Sequence, residues 1–218
     1  MKLLLTSAGI TNKSLENALA SLLSRRVKEC NIAYVPTAAN VESGDKGWLI
    51  EDLVNLQKMG WNELDIVDFS AIPRDIYLPR LQHADVICFS GGNTYHLIHM
   101  IKKIALDIDL HVLLKSRVYM GISAGSMVAG SNLMLSTSAT MYSESVGDVK
   151  DDKGLNLVNF QIRPHLNSKY FPSVRLDNIR KQAIESPTPI YALDDLSAIK
   201  IIGDKFEVVS EGSWEKID

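Results

Sequence analysis

Short, almost continuously apolar runs alternate with helical patterns along the first half of the chain. Residues 84–90 (ADVICFS) and residues 118–122 (VYMGI) are the clearest of these runs. Continuous apolar runs are typical of strands that are buried on both faces, as in parallel sheets. The alternation therefore predicts an α/β fold with a doubly wound, mostly parallel sheet that is flanked by helices.

The predicted elements continue to the end of the chain. The strands of the first half are at residues 3–6, 31–35, 64–69, 84–90 and 118–122. The helices are at residues 15–27, 46–58, 95–102 and 107–116, with a further small-residue helix from about residue 125. The second half is predicted to have strands at 157–162 and 190–193, a helix over about 173–185, and a closing hairpin at 198–202 and 206–209.

Length, composition and charge favour one ordinary globular domain over residues 1–218. The chain is 46% hydrophobic and 22% charged, which is enough apolar material for a sizeable core. Its 23 basic and 26 acidic residues leave a net charge of -3. No basic excess indicates a nucleic-acid partner, and no polybasic run indicates a membrane surface. We expect a monomer or a homodimer that binds a small peptide substrate and has no nucleic-acid or membrane partner.

The two cysteines, Cys30 and Cys88, lie in or beside apolar segments and read as small core residues. No disulfide framework is indicated, and the first residues lack the long apolar core and cleavage site of a signal peptide. Neither cysteine has a metal-ligand spacing, and although His96 and His99 lie three residues apart, no acidic or cysteine ligand nearby completes a metal site. We therefore expect a cytoplasmic protein with no metal or other cofactor.

The strongest motif is Gly121-Ile122-Ser123-Ala124-Gly125, which matches G-x-S-x-G. In a nucleophile elbow, this pattern places a serine on a sharp strand-to-helix turn, and the glycines allow the neighbouring chain to pass close by. An apolar strand precedes the motif here, and small residues follow it. Ser123 is therefore the candidate nucleophile, against the alternative of a plain tight turn with a capping serine.

A serine hydroxyl needs a base that accepts its proton. His83 lies at the wrong end of a predicted strand, and His96, His99 and His111 lie in helical patterns. His165 follows a predicted strand at its carboxyl end, where ligand sites of open α/β sheets collect. His165 is therefore the candidate base.

The carboxylate that orients such a base has three candidates. Asp194 and Asp195 directly follow the predicted strand at 190–193, and Glu144 lies in the loop after the elbow helix. From the residues alone these three stay open.

An oxyanion needs backbone donors. Ala124 N–H is one donor by the logic of the elbow. The run Ser90-Gly91-Gly92-Asn93-Thr94 follows a strand and opens a helix, so Gly91 and Gly92 are the natural second source. A phosphate-binding loop is the rival interpretation, but the run lacks the G-K-S/T of a P-loop and the third glycine of a dinucleotide fingerprint.

Three segments together resemble the peptidase E family of serine peptidases, whose relatives include aspartyl dipeptidase and cyanophycinase. The segments are FSGGNTYHL (89–97), GISAGSMVAG (121–130) and FQIRPHL (160–166). The resemblance runs over most of the chain. It implies a class I glutamine-amidotransferase-like, flavodoxin-like α/β fold, with serine in place of that superfamily's cysteine.

The resemblance also implies roles for individual residues. Ser123 would be the nucleophile and His165 the base, with substrate and oxyanion contacts from Gly91, Gly92 and Asn93. The pair at 194–195 resembles the acidic pair of cyanophycinase-like members, which favours Asp195 as the third residue of a catalytic triad. In aspartyl dipeptidases the acid lies shortly after the elbow, where this chain reads LSTSATMYSE, so a preference for an N-terminal aspartate is not implied.

Arg163 precedes the candidate base by two residues and is expected either to meet a substrate carboxylate or to pair with an acid of a helix face. The predicted function is a serine peptidase that acts on small peptides, in the manner of a dipeptidase. Two alternatives stay open. One is an amidase or esterase of a non-peptide substrate, and the other is a non-catalytic ligand-binding domain on the same scaffold. A nucleotide-binding domain is the weakest interpretation.

Overall fold

The computed structural model of the protein describes residues 1–144 and 152–218. Its strands are β1 (Lys2–Thr6), β2 (Asn31–Val35), β3 (Glu63–Ile66), β4 (Val86–Phe89), β5 (Val118–Ile122), β6 (Gln161–Arg163), β7 (Ile190–Leu193), β8 (Ser197–Ile202), β9 (Lys205–Ser210) and β10 (Trp214–Ile217). Its α-helices are α1 (Lys13–Leu22), α2 (Thr37–Asn40), α3 (Gly47–Lys58), α4 (Arg74–His83), α5 (Thr94–Lys103), α6 (Leu106–Leu113), α7 (Ala124–Met127), α8 (Leu135–Tyr142) and α9 (Leu176–Ala183).

Seven strands form the main sheet, in the order β3-β2-β4-β5-β1-β8-β9. The five strands from β3 to β1 run parallel to their neighbours, whereas β8 and β9 are antiparallel. The carboxyl ends of β4, β5 and β1 therefore lie side by side. Residues that follow these three strands meet at one edge of the sheet, as in other open α/β sheets.

Successive side chains of a strand point to opposite faces of the sheet. The central strands are buried on both faces because a core covers each of them. In β1, Leu3 and Leu5 pack into a core with the helices α4, α5 and α6, whereas Leu4 packs into a second core with α1 and α3. Phe89 and Cys88 divide between the same two cores. Helices on both faces make the sheet doubly wound, which confirms the predicted fold class.

A second sheet has three strands in the order β10-β7-β6, and Tyr191 and Leu193 of β7 pack into the same core as Leu3 and Leu5. The strands β6 and β7 are parallel, so their carboxyl ends also meet, and β10 pairs antiparallel with β7. A third apolar cluster, which includes Val174 and Ile179, packs α9 against this sheet.

The observed elements differ from the predicted ones in several places, including the short helix α2, which was not predicted. The helix α4 and the strand β10 were not predicted, and α8 lies in a stretch that the pattern leaves unassigned. The strand predicted at 157–162 is shorter and later, at Gln161–Arg163. The hairpin of β8 and β9 is confirmed, but the chain continues from it into β10. Within the described residues, no helix has the length and apolarity needed to cross a membrane.

The elbow depends on two glycines that allow α7 to approach the sheet closely. A Cβ at Gly125 would lie 2.3 Å from the Phe89 carbonyl oxygen, and a Cβ at Gly121 would lie 2.6 Å from the Gly125 carbonyl carbon. The Tyr119 hydroxyl donates a hydrogen bond to the Gly125 carbonyl at 2.6 Å and holds the turn from below. The backbone contacts leave no room for any side chain at either position.

We expect Gly125→Ala to lower the free energy of unfolding by about 1–3 kcal/mol, because the new methyl group must displace the backbone of β4. Urea unfolding measures the change. The matched control is Gly47→Ala, where the new Cβ meets only the flexible Asp45 carboxylate, and this change should stay within about 1 kcal/mol. Equal stability of the Gly125→Ala and wild-type proteins would contradict the packing described here.

Candidate functional site

Ser123 lies directly after β5 and begins the turn into α7. Its backbone has φ 47° and ψ -106°, a region that is unfavourable for a residue with a side chain. The turn is held because the Ser123 N–H donates to the Thr6 carbonyl at 3.1 Å, and the Ser126 and Met127 N–H groups both donate to the Ser123 carbonyl at 2.9 Å. Strain of this kind is typical of a functional position that its surroundings hold in place.

His165, which follows a strand of the second sheet, contacts Ser123 at this turn. It follows β6 through Pro164, and its own backbone has φ 65°. Its Nε2 lies 2.9 Å from Ser123 Oγ, which is hydrogen-bond distance. The imidazole stacks on the Phe171 ring, with the ring centroids 4.4 Å apart and the planes inclined by 17°. The side chain is 13% exposed, so the ring is held between the serine and the phenylalanine.

Asp195 contacts the other nitrogen of the same imidazole. Its Oδ1 lies 2.6 Å from His165 Nδ1. Burial acts to raise the pKa of Asp195, but the hydrogen bond and charge of His165 and the hydrogen bond from Ser7 outweigh it and bring the pKa below its ordinary value. Asp195 is therefore held as a carboxylate that can fix the Nδ1–H tautomer of the imidazole.

Ser7, the first residue after β1, links the two partners. Its Oγ accepts a hydrogen bond from the His165 N–H at 2.8 Å and donates to Asp195 Oδ1 at 3.2 Å, with the Leu193 carbonyl as a second acceptor at 3.3 Å. The sequence reasoning missed Ser7, although its place after a strand satisfied the rule that selected His165. It also missed Phe171, for which the sequence carries no signal.

The other two candidate acids do not contact His165. Asp194 caps the turn between β7 and β8, where Oδ1 accepts hydrogen bonds from the Leu196 N–H and the Ser197 hydroxyl. Glu144 binds the start of α5, where its carboxylate accepts from the Thr94 N–H at 3.2 Å and the Thr94 hydroxyl at 2.9 Å. Of the three candidates, the structure brings only Asp195 to the imidazole.

The predicted oxyanion donors lie beside the serine. A Cβ at Gly91 would lie 3.4 Å from Ser123 Cβ, so the loop after β4 passes close to Ser123. Gly92 has φ 124°, and a Cβ there would collide with the Ala38 carbonyl oxygen at 2.3 Å. No described residue accepts a hydrogen bond from the N–H of Gly91, Gly92 or Ala124. These three N–H groups are the candidates for binding a negative oxygen.

Asn93, another predicted contact residue, lies at the N-cap of α5. Its N–H donates to the Ala38 carbonyl at 2.9 Å, and its side-chain oxygen accepts from the His96 N–H at 2.9 Å. These bonds cap α5 and fix the glycine loop. Asn93 therefore positions the loop, with its N–H already engaged.

Arg163 does not face a substrate, which corrects the expectation that it meets a substrate carboxylate. The residue is 1% exposed, and its guanidinium donates to the Gln161 side-chain oxygen at 2.9 Å, the Ile162 carbonyl at 3.2 Å and the Gln182 side-chain oxygen at 3.4 Å. Burial lowers its pKa. No ion pair joins it to an acid of the described part of the chain. The bond to Gln182 links β6 to α9, two residues before His165.

The remaining histidines lie away from this arrangement. His83 lies 3.6 Å from the Glu63 carboxylate, and His111 Nδ1 lies 2.8 Å from the Asp107 carbonyl oxygen of its own helix. His96 and His99 lie on α5. In the described ranges, no three His, Cys, Asp or Glu side chains group in a way that could hold a metal ion.

Comparisons with known proteins identify the family of the chain. A family model described as Peptidase family S51 matches residues 3–209. An uncharacterized peptidase of Listeria monocytogenes is 28% identical over 180 residues, which cover 79% of this chain and 82% of that protein. Proteins named peptidase E from Shewanella baltica and Nostoc are each 28% identical, and the matches cover 60% and 71% of this chain. These matches span only 56% and 59% of the two relatives' own length.

Solved structures show the same fold. A crystal structure from Listeria monocytogenes EGD-e, provisionally described as a peptidase E protein, superposes with a TM-score of 0.81. It covers 97% of this chain and 98% of that chain at 23% identity. A peptidase from an acI-B1 actinobacterium superposes with a TM-score of 0.68 at 20% identity, over 99% of this chain and 93% of that chain.

The carboxyl group of Glu144 should make the stability of the fold depend on pH. Burial raises its pKa to about 8, against the hydrogen bonds from Thr94. A raised pKa means that the folded state holds the proton where the unfolded state has lost it, so stability falls as the pH rises from about 4.5 to about 8. One such group contributes up to about 1.4 kcal/mol per pH unit.

We expect Glu144→Gln to make the fall in unfolding free energy between pH 5 and pH 8 less steep than in the wild type. Urea unfolding at several pH values measures this slope. Some slope should remain, because burial also raises the pKa of Asp52 to about 8. The control Glu185→Gln, at an exposed position, should keep the wild-type slope. Parallel curves for the wild type and Glu144→Gln would contradict the assignment.

Proposed function

The chain belongs to peptidase family S51, and on that premise we propose that it is a serine peptidase that hydrolyses small peptides through an acyl-enzyme on Ser123. The observation that carries the proposal is the continuous line of hydrogen bonds from Ser123 Oγ through His165 to Asp195. A nucleophile, a base and an orienting carboxylate in this order define a serine-hydrolase triad by geometry and role.

The acylation step follows from the positions of these groups. His165 Nε2 accepts the proton from Ser123 Oγ while the oxygen attacks the carbonyl carbon of the peptide bond. Asp195 accepts the Nδ1–H hydrogen bond and stabilises the imidazolium that forms. The imidazolium then donates its proton to the leaving amine nitrogen as the C–N bond breaks, which leaves an ester on Ser123.

The tetrahedral intermediate carries a negative oxygen that needs donors. We assign this role to the Ala124 N–H together with the N–H of Gly91 or Gly92, which have no acceptor in the described chain. Removal of one donor of this kind costs about 10²- to 10³-fold in kcat in other serine hydrolases. The stiffness of the glycine loop, held by Asn93, keeps the donors in place before the substrate arrives.

Water completes the cycle. His165 accepts a proton from a water molecule, whose oxygen attacks the ester carbon, and then returns that proton to Ser123 Oγ as the carboxylic acid leaves. Nucleophile, base and donors all come from the chain, so the proposed reaction uses no cofactor.

We also propose a cytoplasmic location, which the free thiols of Cys30 and Cys88 support.

The first test is covalent labelling. A fluorophosphonate probe should label the folded wild-type protein at Ser123, because the base and the oxyanion donors favour attack on the phosphorus. Ser123→Ala should remove both the labelling and all peptide hydrolysis while the protein stays folded by circular dichroism. Absence of labelling in the folded wild type would favour a non-catalytic ligand-binding domain. Labelling with hydrolysis of esters or amides alone would favour a non-peptide substrate.

The second test separates the two neighbouring aspartates. Asp195→Asn should lower kcat by about 10³- to 10⁴-fold, because the amide no longer holds the productive tautomer of His165. Asp194→Asn is the matched control. It should instead lower stability by about 0.5–2 kcal/mol through loss of the turn cap, and should keep most of kcat. Equal losses of kcat in the two variants would contradict the assignment of the acid.

A further inference from the structure

A buried carboxylate outside the triad has no partner. Asp52, in the second turn of α3, is 8% exposed. No described residue forms a hydrogen bond or an ion pair with it. Three side-chain atoms of the described residues are fully buried without a hydrogen-bond partner: Tyr34 Oη, Trp61 Nε1 and Tyr77 Oη. The Asp52 oxygens do not belong to this group. A carboxylate in this setting carries a large desolvation cost, which a positively charged partner would offset.

The Asp52 carboxylate lies close to the loop after β1 and to the residue that precedes Ser123. A Cβ at Gly9, in the loop after β1, would lie 2.6 Å from Asp52 Oδ1 and 3.5 Å from the Cδ1 of Ile122, the residue before Ser123. The Gly9 N–H donates to the Thr6 hydroxyl at 3.0 Å, and that hydroxyl donates to the Gly121 carbonyl at 2.8 Å. The carboxylate therefore faces the same strand ends that carry the elbow.

An aromatic ring lies one helical turn before Asp52, on the same face of α3. The edge of Trp48 lies 3.6 Å from the Cβ position of Gly91, which is itself 3.4 Å from Ser123 Cβ. The ring is 38% exposed, and Lys46 Nζ already lies 5.9 Å from its centroid. The Lys46 ammonium group donates a hydrogen bond to the Glu42 carbonyl at 2.6 Å, which holds it away from Asp52.

We propose that Trp48 and Asp52 form a subsite, beside Ser123, that binds a primary ammonium group of the substrate. This inference rests on the proposed peptidase function and names the chemistry of its substrate. A carboxylate accepts hydrogen bonds from an ammonium group, and an indole ring attracts the same charge through its electron-rich face. The apolar wall of Ile122 and the close approach at Gly9 favour a compact ammonium over a planar guanidinium.

The charge state of Asp52 agrees with this geometry. Burial, together with the nearby Glu51, raises the pKa of Asp52 to about 8 in the absence of a partner. An ammonium group opposite the carboxylate would lower this pKa and favour the ionised form. The neighbours that pack below it, Tyr34 and Cys88, carry no positive charge that would already fill this role.

The ammonium group has two sources in a small peptide, the α-amino group and a lysine side chain. Four peptides separate them: Ala-Ala, N-acetyl-Ala-Ala, N-acetyl-Lys-Ala and N-acetyl-norleucine-Ala. Calorimetry with the Ser123→Ala protein measures affinity without turnover, and kcat/KM with the active protein measures the same preference during hydrolysis. We expect one of the two charged peptides to bind at least about 10-fold more tightly than its uncharged counterpart.

Asp52→Asn should remove this preference both in the Ser123→Ala protein and in the active protein. We expect it to lower the affinity for the charged peptide about 10- to 100-fold. Trp48→Leu should lower the same affinity about 2- to 30-fold. The matched controls are the exposed Glu51→Gln and Trp214→Leu, which should keep the wild-type preference. Circular dichroism and thermal unfolding verify that each variant is folded.

The outcomes separate this inference from the proposed function. Hydrolysis and fluorophosphonate labelling with no preference for an ammonium peptide, or with a preference that Asp52→Asn leaves intact, would overturn the subsite alone. Equal effects of Asp52→Asn on charged and acetylated peptides would overturn it too. Asp52-dependent binding of an ammonium peptide by a protein that neither labels nor hydrolyses would support the subsite and overturn the peptidase.

Discussion

The contact between α7 and the end of β4 is the constraint on which the site depends. Gly125 packs against the Phe89 carbonyl so closely that a methyl group would not fit. This approach forces the chain to turn sharply at Ser123, into a backbone conformation with φ 47°. The turn lifts the hydroxyl above the sheet edge and places the Ala124 N–H beside the glycine loop. A wider turn would separate the Ser123 hydroxyl from the N–H groups that we propose as oxyanion donors.

Two sheets meet at this turn, and the Ser7 hydroxyl is one of the groups that join them. Ser123 belongs to the seven-stranded sheet, whereas His165 and Asp195 follow two parallel strands of the small sheet. Ser7 follows β1 of the large sheet and contacts both of these residues. The distance between the imidazole and Ser123 therefore depends on hydrogen bonds across the boundary as well as on the packing of each sheet.

The alternation of apolar runs predicted the parallel sheet because burial on both faces leaves a direct signature in the chain. It missed α4, whose segment contains Pro79 and buries only Tyr77 and Leu81, so no apolar stripe distinguishes it from a loop. It missed β10, where exposed and partly exposed residues alternate at an edge. Both elements owe their structure to tertiary contacts, the first under the main core and the second through pairing with β7.

The sequence by itself determined which residues follow strand ends, and with them Ser123, His165 and the glycine loop, because local patterns of burial and small residues mark those positions. Only the tertiary structure decided which acid reaches the imidazole. Asp194 and Asp195 are adjacent in the chain, but successive side chains at a strand end point in different directions, one into the turn and one toward His165. The tertiary structure likewise buried Arg163 and left Asp52 with no hydrogen-bond or ion-pair partner among the described residues, because a side chain's partners come from segments distant in the sequence.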